Sequence, residues 1–217
     1  MRPPNEPYGG PFHHYIPSVI SQCQWYQFYD ILEEISRLIK QRLEEHELKE
    51  FSENINAILA RDSIPWKLEE CKVVRVFNPE IAERLTEVNV LLNNPKFKGP
   101  DEQFAKAVEH LNKRPNPDEE NCIKDAVGAL EAVANIIAET NSERLNNLLD
   151  KDPFVSHIPP TIRETIKKLY ACRGAIPGVG HGQVGSSVAE LADATWVLGV
   201  SAASILYFVY KVDKPAP

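Results

Sequence analysis

Arg173 and His181 are the residues of this chain whose types and spacing can do chemistry together. Seven residues separate them, within the glycine-rich run RGAIPGVGHGQVG. A guanidinium can hold a phosphate through two parallel N–H bonds and stabilise the charge that gathers on it during reaction. An imidazole titrates near neutral pH, so it can move the proton of a ribose 2′-hydroxyl or of a leaving oxygen. Together they are the minimum for cleaving a phosphodiester without a metal. Each also has a plainer role open to it: Arg173 can satisfy the last carbonyls of a helix, and His181 can be a surface loop residue. The glycines do not decide between these. Gly174, Gly178, Gly180, Gly182 and Gly185 let the backbone turn tightly, but no Gly-Lys-Ser/Thr follows and no strand precedes. The run is therefore neither a P-loop nor a dinucleotide-binding turn.

The residues leading into Arg173 add a charge pattern. Arg163, Lys167, Lys168 and Arg173 stand against the single Glu164, and Arg163 and Lys167 are one helical turn apart. Such a strip can track phosphates or be an ordinary solvated helix face. Tyr170 precedes Arg173 by one turn and can stack on a base or pack in a core. Glu131 lies mid-helix among apolar residues, where it is a candidate for orienting Arg173 or His181. Glu119, Glu120 and Asp125 open the same helix, and the helix dipole alone accounts for acidic residues there. His13-His14 can bind a metal adventitiously, but nothing nearby completes a site. The reading therefore includes no metal and no cofactor.

These side chains need helices to hold them. A long helix carries Ile123, Ala126, Val127, Leu130, Val133, Ala134 and Ile137 at helical spacing, and its alanines permit close helix–helix approach. Before it, Asp101 reads as the N-cap of a helix with Phe104, Ala107, Val108 and Leu111 on one face, and residues 114–118 read as a turn. After it come a short helix over 144–149, a helix over 161–172 behind Pro159-Pro160, and a terminal helix over about 187–212. Upstream, Trp25, Phe28, Ile31, Leu32, Ile35, Leu38, Ile39 and Leu43 form an amphipathic pattern, followed by a second helix with Phe51, Ile55, Ile58 and Leu59. Alternation through Lys72-Val73-Val74-Arg75-Val76 indicates a short strand or hairpin, and a helix follows over about 80–92. The organisation expected is an irregular leader over 1–20, an N-terminal helical region with a short hairpin over 21–100, a helical bundle over 101–212 and a tail over 213–217. The class is mainly α.

Composition narrows the function classes. The 217 residues carry a net charge of −7, with 25% charged and 43% hydrophobic residues, as in an ordinary globular protein. A protein that coats nucleic acid is usually basic; an enzyme needs only a local positive pocket. The four cysteines, Cys23, Cys71, Cys122 and Cys172, include no C-x-x-C pair, which argues against a zinc site and for reduced thiols of a cytoplasmic protein. The leader lacks the apolar stretch of a signal peptide. Residues 194–210 carry no charge and approach the lower length of a membrane span; the favoured expectation is a helix buried in a bundle or dimer seam, with no membrane contact.

The layout of arginine, short spacer and His-Gly ahead of a terminal helix resembles the motif of the HEPN superfamily. The stretches NPDEENCIKDAVGALEAVANII and PPTIRETIKKLYACRGAIPGVGHG are similar to the C-terminal domain of bacterial abortive-infection proteins. The matching residues are Ile123, Lys124, Ala126, Ala129, Glu131, Ile136, Tyr170, Arg173, His181 and Gly182, within residues 101–212. The resemblance implies a four- to five-helix bundle working as a homodimer and a metal-independent endoribonuclease in anti-phage defence or as a toxin-like effector. Arg173 would stabilise the scissile phosphate and His181 would transfer the proton. Arg163, Lys167, Lys168, Tyr170 and Gly182 would contact RNA. A partner protein of a defence system is also implied. Two features depart from the family pattern: the spacer is one residue longer than the usual maximum, and Gly174 replaces a polar residue after the arginine. The alternative function is an inactive HEPN-like module for dimerisation or for binding a nucleotide or partner.

Overall fold

The computed structural model describes residues 20–175 and 189–213. The fold is mainly α-helical with one small two-stranded sheet, and it divides into two compact units between Val76 and Phe77.

In the first unit, α1 (Trp25–Lys40) and α2 (Glu45–Arg61) flank the hairpin of β1 (Trp66–Glu69) and β2 (Lys72–Arg75). Both helices open on a capping box, Gln24 with Gln27 and Glu44 with Glu47. The strands pair antiparallel with Leu68 opposite Val73. Their two-residue turn holds Glu70 and Cys71 at φ 47° and 65°, the left-handed pair that a tight hairpin of this twist requires. A two-stranded sheet leaves both edges unpaired, and here each edge is met by a helix side chain. Asn56 of α2 accepts from Leu68 N at 2.6 Å and donates to Leu68 O at 2.9 Å. Glu33 of α1 accepts from Val73 N at 2.8 Å. Tyr29, Leu32, Leu59, Trp66, Leu68 and Val73 form the core. Of the apolar stripe expected on α1, Leu32 is buried, whereas Trp25, Phe28, Ile35 and Leu38 are exposed. So small a sheet offers too little apolar surface to cover both the stripe and α2.

The second unit holds α3 (Pro79–Leu92), a 3₁₀ turn (Pro95–Phe97), α4 (Lys98–Asn112), α5 (Glu119–Ile137), α6 (Leu145–Leu148), α7 (Phe154–His157), α8 (Pro160–Ala175) and α9 (Leu191–Phe208), which runs into a π turn (Val209–Asp213). α5 is its centre, packed against α4 and α9, with α8 along a further side. Cys122, Ile123, Ala126, Val127, Ala129, Leu130, Val133 and Ala134 are all buried. Alanine at three of these positions lets the neighbouring helices approach closely, and the apolar area they share is the main stabilising term.

Two details differ from what the sequence predicts, and a third agrees with it. The apolar pattern places the opening of the bundle at Asp101, whereas α4 begins at Lys98 with Pro100 buried in its first turn. The N–H that proline lacks would have no acceptor there, so it does not break the helix. In addition, α3 belongs to the same compact unit as the bundle, its Val88 and Leu92 lying in the bundle's core. The uncharged terminal segment forms α9, with Ala194, Val197, Leu198, Ala202 and Ile205 buried. Leu191–Asp213 is long and apolar enough to cross a membrane by length and composition; in this fold it is a core helix of the bundle.

Candidate functional site

Arg173 stands in the last turn of α8, partly exposed. His181 and Gly182 lie outside the described residues, as do His13 and His14. The arrangement around Arg173 is set by which face of α8 docks on the bundle. Arg163, Lys167 and Tyr170 succeed one another by four and three residues, so they share that face.

Arg163 and Lys167 turn toward the ends of α6 and α7. The Arg163 guanidinium donates to Leu149 O at 2.7 Å and to Ile158 O at 3.2 Å, and lies 3.7 Å from the Asp150 carboxylate. Lys167 Nζ donates to Asp150 at 2.6 Å and to Glu164 at 2.8 Å. These bonds, Asp150 foremost, hold the ammonium above its ordinary pKa range. Arg163 satisfies two backbone carbonyls at the turns of α6 and α7, where helix ends leave acceptors unpaired. The strip expected on α8 is thus in large part the seam that docks the helix. Lys168, on another face, is exposed.

Tyr170 continues the seam at its far end. On α5 beside it, Glu131 Oε2 accepts from Leu145 N at 3.0 Å. Burial first, then Glu131, push the Tyr170 phenol above its usual pKa, while Arg173 and Arg144 pull it the other way. Sequence reasoning misses Arg144 beyond its place at the start of a short helix, although its charge acts on the same phenol as that of Arg173. Its backbone is held on both sides. Leu145 is bound by Glu131, and Glu143 is bound by the buried Asn135, which accepts from Glu143 N and donates to Glu143 O, each at 2.8 Å.

A second cluster of titratable groups lies at the start of α5. Asp118 is the N-cap, accepting from Asn121 N at 3.2 Å, and Lys113 Nζ donates to it at 2.7 Å. Burial pulls the Asp118 pKa up, but the bonds from Asn121 and Lys113 outweigh it and hold the carboxyl down at about 2. His110 stands between two carboxylates, with Nε2 3.1 Å from Asp125 and Nδ1 3.3 Å from Asp118. Asp125 thus has a specific partner in addition to the helix dipole. Glu120 pairs with Lys124 one turn on. Among the described residues no group of three or more His, Cys, Asp or Glu side chains is arranged to hold a metal.

The family model described as AbiJ N-terminal domain 4 matches residues 4–94. No curated protein and no solved structure gives a match. The matched stretch spans the first unit and α3, which is the part of the chain where the sequence offered no recognisable chemistry. It does not reach residues 101–212, which carry the HEPN resemblance. Over residues 4–94 the chain is thus similar to a domain associated with abortive infection.

Proposed function

We propose that the second unit is a metal-independent endoribonuclease of the HEPN type, acting in anti-phage defence or as a toxin-like effector. The observation that carries this reading is the cluster at the end of α8. There Arg173 follows Tyr170 by one turn, the charges of Arg173 and Glu131 both act on the Tyr170 phenol, and the chain continues from this point to His181. The abortive-infection domain at residues 4–94 supports the defence context. In the reaction, His181 takes the proton of a ribose 2′-hydroxyl, and the 2′-oxygen attacks phosphorus. The bond from phosphorus to the 5′-oxygen breaks and a proton is delivered to that leaving oxygen. The products are a 2′,3′-cyclic phosphate and a 5′-hydroxyl. Arg173 stabilises the charge gathering on the phosphate, most strongly in the transition state. Lys168 and Gly182 contact the RNA backbone, with Tyr170 beside them. The working form is a cytoplasmic homodimer joined through the bundle, which engages a partner protein of a defence system.

The test is incubation of the purified protein with total RNA in EDTA, followed by analysis of the new termini. Cyclic phosphate and 5′-hydroxyl ends are expected, reduced at least about a hundredfold in Arg173→Ala and in His181→Ala. Cleavage that both variants retain would overturn the assignment. A second reading, a non-catalytic module that dimerises or binds a nucleotide or partner, draws on the engagement of Arg163 and Lys167 within the fold. It predicts no cleavage by the wild type under the same conditions.

A further inference from the structure

We infer that α1 is a self-association surface, its exposed apolar stripe taking α1 of a second copy of this chain in antiparallel orientation. The inference concerns the first unit and goes beyond the ribonuclease reading, on which it does not rest.

The stripe has the spacing of a helix seam. Phe28, Ile31, Ile35 and Leu38 follow one another by three, four and three residues, the interval that keeps apolar side chains facing a partner helix. Phe28, Ile35 and Leu38 are 36%, 44% and 53% exposed, and Trp25, one turn ahead of Phe28, is exposed as well. The hairpin is met by another side of the helix, where Tyr29, Leu32 and Ser36 are buried. α1 is therefore apolar over more of its surface than the core of the first unit covers. Large apolar side chains aligned on one exposed face mark an interaction surface, because burying them against a partner releases the water they order.

The charges beside the stripe select the occupant and its direction. Asp30 and Glu34 lie toward the start of α1, Arg37 and Lys40 toward its end, and all four are exposed. A second α1 laid antiparallel, with Ile31 opposite Ile35, sets Asp30 opposite Arg37 of the second copy, and two-fold symmetry supplies the reciprocal pair. Position 34 falls near the axis and meets its own counterpart, each Glu34 being paired with Arg37 of its own helix at 2.9 Å. A parallel partner would instead set Asp30 against Asp30 and Arg37 against Arg37, with the helix dipoles aligned unfavourably. The face is thus complementary to itself in one orientation. A two-helix contact of this length is smaller than the roughly 800 Å² per partner of a standard interface, so the association is concentration-dependent in the micromolar range.

The test uses the full chain carrying Glu34→Cys, treated with a short bis-maleimide at rising protein concentration, with the linked peptides mapped by mass spectrometry. A link joining position 34 of two copies is expected, its yield rising with concentration. Adding Ile35→Asn and Leu38→Asn, both at exposed positions and so compatible with folding, should lower that yield at least about tenfold. Asp30→Arg or Arg37→Asp alone should lower it about fivefold, since each sets like charges opposite one another. The two together restore the opposed pair and should return the yield to that of the parent. A dimer made through the bundle would leave the yield the same in all of these variants; that result overturns the inference and leaves the ribonuclease reading standing. Loss in both single reversals without recovery in the double variant overturns the antiparallel pairing. A link from position 34 only to other segments of its own chain would show the chain covering its own stripe and overturn the inference. The absence of any link would do the same, leaving the stripe to a different protein.

Discussion

Replacing Asn135 should cost the second unit more than any other single polar substitution, because its amide is saturated. Nδ2 donates to Glu131 O at 3.0 Å and to Glu143 O at 2.8 Å, and Oδ1 accepts from Thr140 Oγ1 and from Glu143 N, each at 2.8 Å. Two donors and two lone pairs are all that an amide offers. The side chain is buried, with 8% of the residue exposed. In Asn135→Leu the Glu143 N–H and C=O lose their partner, and each unsatisfied buried group costs about 1–3 kcal/mol. The Thr140 hydroxyl can turn elsewhere, so its loss counts for little. The expected destabilisation is about 3 kcal/mol, or a fall in Tm of about 10 °C for a unit of this size. Asn135→Asp makes a sharper test. Its carboxylate keeps the two acceptors but faces the Glu131 and Glu143 carbonyls with no donor, which favours the protonated acid in the folded state. A carboxyl whose folded pKa is raised destabilises most at high pH, and the penalty shrinks as pH falls toward that pKa. Calorimetric scans between pH 5 and 8, read on the transition of the second unit, check both variants. A loss below about 1 kcal/mol in Asn135→Leu, or an Asn135→Asp penalty that does not change with pH, would refute the reasoning.

The start of α5 gives two further expectations. Asn at position 118 keeps the N-cap but loses the charge that meets Lys113, so Asp118→Asn should cost about 1 kcal/mol at pH 7. Because the folded carboxyl is held down at about 2, its contribution is present above the ordinary carboxylate range and is lost as pH falls through the folded value; urea titrations of both proteins at pH 7 and pH 3 should show the gap narrowing at the lower pH. Burial, with Asp125, Asp118 and Glu119 nearby, pushes the Cys122 thiol up to about 12, so it should resist iodoacetamide at pH 8 while the partly exposed Cys172 is alkylated; peptide mapping that found Cys122 labelled as fast as Cys172 would count against the core placement of α5.

Much of the secondary structure is legible in the chain because local signals suffice for it. The apolar spacing from Ile123 to Ile137 gives α5, and the alternation around Val73 and Val74 gives the hairpin. Asn78-Pro79 gives the start of α3, where Asn78 accepts from Ile81 N at 2.9 Å. Signals that compete locally are less reliable. Gly99-Pro100 reads as a break between helices, yet it lies in the first turn of α4, where both residues are tolerated. The exposed face of α1 reads as core because hydrophobic spacing reports which residues share a face and not how much partner surface is available to bury it.

The candidate site divides along the same line. The sequence by itself determined that Arg173 ends a helix, that Tyr170 precedes it by one turn, and that a glycine-rich run joins it to His181, since each statement concerns neighbours along the chain. The tertiary structure decided which of the basic residues face the bundle. It turned Arg163 and Lys167 onto Leu149, Ile158 and Asp150, and set Tyr170 where the charges of Glu131, Arg173 and Arg144 act on its phenol. The physical reason is that a helix fixes the angular relation of its own side chains, whereas the partner each one meets depends on how the helix is docked. For α8 that docking is set by buried Ile166 and Leu169 against the core of the bundle, and the charged residues take the partners this packing leaves within reach.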